Sequence, residues 1–202
     1  GESFSLAQLD EAPGAPVWSP DGRSIAFSMF VPAEAPSFAK PPKQPEGADW
    51  SKPFRVFDDI TYRFDGAGYL EEGATHVFVV SAEGGTPRQI TSGETDYDSP
   101  AWLDNDTLLV VGNNAPDADL DPIESEIYAV ELRDLSMRPL TTRDGPDFAP
   151  AVSPNGRTIA FLGYDDKLKA YQQTDLYVMN ADGSGVRNLT ANYDRSTDAV
   201  EW

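Results

Sequence analysis

The chain has 202 residues, 40% of them hydrophobic and 24% charged, enough for one large domain or two small ones with a buried core. Its 34 acidic residues against 15 basic give a net charge of -19, which leaves no basic stripe for nucleic-acid phosphates and opposes an anionic membrane surface. Cysteine is absent, so disulfides and thiolate zinc sites are excluded, and no apolar run approaches the roughly 18 residues of a membrane span.

The opening "GESFSLAQLDEAPG" has neither an initiator Met nor a signal-peptide core. Either a leader has been removed or these are not the natural ends. Next comes "WSPDGRSIAF" at 18–27, a polar turn followed by an apolar strand. Nearly the same phrase returns as "WLDNDTLLVV" at 102–111 and as "VSPNGRTIAF" at 152–161. A second phrase keeps step with it: "THVFVVSAEGGTPRQIT" at 75–91, "SEIYAVELRDLSMRPLT" at 125–141 and "TDLYVMNADGSGVRNLT" at 174–190. Each copy ends in Thr, at Thr91, Thr141 and Thr190, so the period is 50 and then 49 residues.

Repeats of about 40 to 50 residues carrying several short strands mark β-propeller blades. The runs "IAF", "VFVV", "LLVV", "IYAV", "IAFL" and "LYVM" are short and almost wholly apolar, as strands buried on both faces require. "SPDG", "AEGG", "SPNG" and "NADGSG" supply the turns between them. The fold class expected is therefore all-β, a β-propeller segment of about three four-stranded blades plus the start of a fourth. The blade units are about 16–91, 92–141 and 142–190, with a stub at 191–202. Trp18, Trp102 and Trp202 head successive phrases and are expected to act as wedges between blades, the alternative being an aromatic ligand platform.

The first unit is stretched by residues 31–55, which hold six prolines and form an insertion or surface strap. A polyproline ligand is the alternative reading of its "PPKQP". Further turns follow in "DDITYRFDGAGYLEEGATH".

Candidate chemistry is sparse. Glu71 and Glu72 are adjacent carboxylates, but neighbours on an extended chain point apart, and a solvated loop is preferred. His76, the one histidine, starts an apolar strand with no nucleophile tied to it, and a structural role is preferred. The acids Asp117, Asp119, Asp121, Glu124 and Glu126 are spaced somewhat like a calcium loop, but Pro122 interrupts them and the required Gly is missing. "GYDDKLKAYQQ" at 163–173 reads as a rim loop. No Gly-x-Ser-x-Gly elbow and no phosphate loop occurs. No catalytic, cofactor-binding or metal-ligating residue is assigned.

Three stretches go beyond a generic propeller: "PEGADWSKPFRVFDDITYRFDGAGYLEEGATHVFVVSAEGGTPRQIT" at 45–91, "TTRDGPDFAPAVSPNGRTIAFLGYDD" at 141–166 and "LYVMNADGSGVRNLTANYDRSTDAVEW" at 176–202. Together they resemble the N-terminal propeller of the prolyl oligopeptidase family of serine peptidases, most of all its bacterial dipeptidyl-aminopeptidase and acylaminoacyl-peptidase branch. The run Tyr62, Arg63, Asp65, Gly66, Gly68, Tyr69 is the most specific element. The resemblance implies a partner in the same polypeptide, a C-terminal α/β-hydrolase domain with a Ser-Asp-His triad that this chain lacks. It also implies short peptide substrates, whose entry the propeller restricts. A non-enzymatic interaction scaffold of the Tol-system kind is the alternative, and so is recruitment of a basic partner by the acidic surface. No cofactor, nucleic acid or membrane partner is expected, and the compartment is either the periplasm or the cytoplasm of a bacterium.

Three blades and a stub leave strand edges unpaired, so the segment alone is expected to fold poorly or only as an oligomer. Thermal melting with light scattering checks this: a cooperative transition from a clean monomer would contradict it.

Overall fold

Alternating burial along two strands organises the molecule. The computed structural model describes residues 3–14, 16–33, 42–51, 56–57 and 60–202. Three four-stranded antiparallel meanders follow the chain. The first joins β1 (Val17–Trp18), β2 (Ser24–Pro32), β5 (Gly73–Ser81) and β6 (Arg88–Gln89). The second joins β7 (Tyr97–Trp102), β8 (Thr107–Gly112), β9 (Glu126–Glu131) and β10 (Met137–Pro139). The third joins β11 (Asp147–Val152), β12 (Thr158–Gly163), β13 (Asp175–Asn180) and β14 (Arg187–Asn188). A small hairpin, β3 (Arg63–Phe64) and β4 (Gly68–Tyr69), lies in the connection from β2 to β5. The described residues contain no helix, so the chain is all-β, as its repeats predict.

In the middle sheet, Leu108, Val110, Tyr128 and Val130 pack with Ala26 and Val77 of the first sheet. The intervening Leu109, Val111, Ile127 and Ala129 pack with Ile159, Phe161, Tyr177 and Met179 of the third. Period-two alternation thus sends successive apolar side chains into two different cores, which is why these strands carry no polar face. On the far side of the first sheet, Ile25, Phe27, Phe78 and Val80 are covered by Leu6, Ala7 and Leu9 from the N-terminal segment.

The tryptophans divide. Trp102 is buried between the first two sheets at 7% exposure, and its indole N–H donates to the Val17 carbonyl at 3.1 Å. Trp202 makes the equivalent bond to the Ala151 carbonyl at 3.0 Å, although its ring is 57% exposed. Trp18 is 59% exposed and wedges nothing among the described residues. The Pro-rich stretch begins later than its composition suggests, because Val31 and Pro32 still pair with Ala74 and Gly73. Residues 34–41 and 52–55 of that stretch lie outside the described residues.

The turn chemistry repeats too. Ser19 Oγ donates to Asp21 Oδ1 at 2.8 Å and accepts the Ser24 N–H at 2.9 Å. Ser153 and Asn155 repeat both bonds at 2.8 and 3.0 Å. In the middle sheet the turn is one residue shorter, and Asp104 alone accepts the N–H groups of Asp106 and Thr107. Ser99 and Ala149, at equivalent positions of β7 and β11, both have positive φ, 49° and 50°. Each sits where its strand pair shifts register, and a proline follows that has no N–H to offer the ladder.

The Thr that closes each repeat has one shared task. Thr91, Thr141 and Thr190 accept the backbone N–H of Val77, Ile127 and Leu176 at 3.0, 2.9 and 2.9 Å. Replacing Thr141 with Val would orphan a buried N–H and is expected to cost ~1–3 kcal/mol, whereas Thr141→Ser should cost much less. Urea unfolding of the two variants beside the parent measures the difference.

Candidate functional site

The two ends of the sheets are unlike. One end carries only tight turns, at 19–23, 82–87, 103–106, 132–136, 153–157 and 181–186. At the other end β2, β8 and β12 finish, and the long connections 113–125 and 164–174 lie there together with the crossings from sheet to sheet. Functional residues concentrate on long loops held by a rigid frame, so the long-loop end is the candidate site.

At this end the Thr hydroxyls meet a different polar side chain in each blade. Thr91 Oγ1 lies 3.3 Å from His76 Nδ1, and Thr190 Oγ1 donates to Asp175 Oδ1 at 3.1 Å. The middle blade has Glu126 in that place, near the Thr141 hydroxyl. His76 is therefore the positional counterpart of two carboxylates. It is buried, and burial pushes its imidazole below the ordinary histidine range. The Thr91 hydroxyl beside it also accepts the Val77 N–H.

Around Glu126 an ionic cluster joins the second and third blades. Arg143 donates from Nε to both oxygens of Asp147, at 3.2 and 3.1 Å, and from Nη2 to Oδ1 as well. Its Nη1 reaches Asp165 at 2.9 Å, and its guanidinium lies 3.9 Å from the Tyr177 ring centroid. Burial works against the charge of Arg143, but the Asp147 hydrogen bonds and carboxylate outweigh it and raise its pKa. Burial likewise pushes the fully buried Asp147 carboxyl up, against the pull of Arg143 and Thr141. Glu124 accepts the Gly145 N–H at 2.9 Å. Gly145 has φ +118°, and a Cβ there would meet the Tyr164 carbonyl at 2.2 Å, so only glycine lets the 164–166 loop lie against the crossing strand. Glu126 Oε2 is buried without a hydrogen-bond partner, and burial pushes its pKa up to about 7.

Not every candidate joins this cluster. Glu124 and Glu126 do, while Asp117 and Asp119 of the same acidic loop are exposed. Glu71 and Glu72 are exposed, and the Glu72 carbonyl accepts the Ala33 N–H at 2.9 Å. No group of His and carboxylates able to hold a metal ion is present among the described residues. Sequence reasoning missed Arg143, Asp147 and Asp165 as a unit. Their signal was an arginine and an aspartate four apart in "TTRDGPDF", a spacing that suggests contact only in a helix.

The hairpin adds an aromatic surface. Phe57 lies 5.2 Å from both Tyr62 and Tyr69 between ring centroids, and Arg63 sits over Tyr69 at 5.9 Å. Phe57, Ile60, Tyr62, Phe64 and Tyr69 are all exposed.

The family model described as "Dipeptidyl peptidase IV (DPP IV) N-terminal region" matches residues 54–167, more than half of the chain. The chain belongs to that family. It is the N-terminal propeller type of prolyl oligopeptidase-family peptidases, as its "YRFDGAGY" and "TTRDGPDF" runs imply. Among relatives, the uncharacterized peptidase YuxL of Bacillus subtilis (strain 168) is 27% identical over 128 residues, 63% of this chain and 19% of that protein. The Tol-Pal system protein TolB of Anaeromyxobacter dehalogenans (strain 2CP-C) is 31% identical over 121 residues, 59% of this chain and 25% of that one. The Pyrococcus horikoshii acylaminoacyl peptidase has the same fold over 95% of this chain and 27% of its own, with a TM-score of 0.65 at 16% identity. The chain thus spans a fifth to a quarter of the two relatives.

In this propeller Glu126 binds a proton in the folded state that the unfolded chain has already lost at mildly acidic pH. Folding stability from this group is therefore present at low pH and lost as pH rises through about 7. Glu126→Gln keeps the shape without the charge. It is expected to raise the melting temperature at about pH 8, with the gain shrinking towards about pH 5. Calorimetry at both pH values measures it, and an equal effect at the two would contradict the assignment.

Proposed function

We propose that the chain is the non-catalytic propeller of a serine peptidase that hydrolyses short peptides, and that it restricts what reaches the active site. The observation that carries this reading is that the connections leaving β2, β8 and β12 all start at one end of the sheets, in a chain of this family. In the proposal that end faces a C-terminal α/β-hydrolase domain of the same polypeptide. Exposed rings at 57, 62, 64 and 69 would supply apolar contact, and the loops would narrow the entrance. The propeller's share is selection by size and costs no catalytic side chain. The hydrolase domain would act through an acyl-enzyme at its serine.

A second reading has its own support. The 31% identity with TolB favours a non-enzymatic propeller that serves as a protein-interaction scaffold. Intact-mass measurement of the full gene product before and after a fluorophosphonate probe separates the two. One covalent adduct is expected for the peptidase. A product that takes none would favour the scaffold.

A further inference from the structure

At the long-loop end of the third blade lies a cleft of about 500 Å³, within the range of small-ligand sites. Its walls come from the 164–173 loop, from β13 and from the segment after β14, and the peptidase reading assigns it no role. What the cleft wants follows from which of its polar groups are already satisfied.

Both of its carboxylates are occupied. Asp165 is paired with Arg143 at 2.9 Å. Asp175 accepts from Thr190 Oγ1 at 3.1 Å, from Asn188 at 2.8 Å and from Gln173 at 3.3 Å. The unspent groups are donors. Lys167 and Lys169 line the cleft, and neither ammonium has an ion-pair or hydrogen-bond partner among the described residues. Among the described residues the hydroxyls of Tyr171 and Tyr193 are likewise unengaged, and both residues are more than half exposed on the cleft wall. Two unpaired lysines on one short loop stand out in a chain with 34 carboxylates.

The loop that carries them is braced. Leu168 has φ 51°, its N–H donates to Asp166 Oδ1 at 2.6 Å, and the Gln172 amide both accepts the Lys167 N–H at 2.6 Å and donates to Asp166. The Asp166 N–H is in turn tied to the Asp144 carbonyl at 2.9 Å. Much of the ordering that a ligand would otherwise have to impose is already present.

We infer that this cleft is a subsite for the free C-terminal carboxylate of a short peptide. The lysine ammonium groups would supply charge-assisted hydrogen bonds, and the tyrosine rings would flank the last side chain. The inference rests on the peptidase reading for its ligand class, but it makes its own demand. A bound terminal carboxylate selects peptides whose end lies close by, so length would be measured by chemistry as well as by the width of an entrance.

The test is binding of the tripeptide Ala-Ala-Phe to the full chain, as the free acid and as the C-terminal amide, by isothermal calorimetry. The acid is expected to bind at least about tenfold more tightly than the amide, the effect of losing one charge-assisted contact. Lys167→Gln with Lys169→Gln should abolish that difference, and Lys167→Arg with Lys169→Arg should keep it. Near-ultraviolet circular dichroism establishes that each variant is folded. Equal binding of acid and amide would overturn the carboxylate subsite while leaving peptide selection standing. Absence of binding by either would overturn the subsite too. The fluorophosphonate result depends on neither outcome.

Discussion

The fold depends on one constraint, that the middle sheet has no wet face. β8 and β9 give alternate side chains to two neighbouring sheets, so each strand must be apolar at every central position and must keep its register to both partners at once. A slip by one residue would not expose a hydrophobic face, as it would in a sheet with one wet side. It would exchange the two cores, placing Leu109 where Val110 fits and leaving mismatched volumes on both sides. The frame is consequently stiff at its strands and free to vary only where strands end.

That freedom is used on one side. A hydroxyl both donates and accepts, so each Thr at the end of a repeat can take a backbone N–H and still offer its proton to a neighbour. The polar side chain beside the hydroxyl is imidazole in the first blade and carboxylate in the other two. Glu126 has two further carboxylates close by, Glu124 and Asp147. The ionic cluster is thus an elaboration of a repeated structural bond, extended by Arg143 to fasten the 164–166 loop.

Much of this was legible in the residues. The phrases "SPDG" and "SPNG" announced turns that the structure closes with the same serine and Asp or Asn bonds, and the recurrent Thr marked a bond that composition alone could not name. The apolar runs told correctly of burial on both faces. Less was visible where contacts join distant segments. Arg143 meets Asp165 across a stretch of 22 residues, a pairing that no local spacing encodes. Trp18 and Trp102 occupy the same place in the repeat yet differ in exposure, because burial belongs to the neighbouring sheet and not to the strand that carries the ring. Likewise the charge of the 163–173 loop was plain, but which of its charges are spent on the protein itself depends on Arg143, Asn188 and Gln173.

The indole of Trp102 has one more consequence. Trp18, Trp50 and Trp202 stand largely in water, while Trp102 sits in the seam between the first and second sheets with its N–H held by Val17. The molecule therefore carries one optically distinct fluorophore at a joint between blades. Parting of those two sheets would wet that ring and shift its emission to the red, even while the strands within each sheet stayed paired. Opening at the joint and melting of the sheets are in this way separable by colour in the unmodified chain.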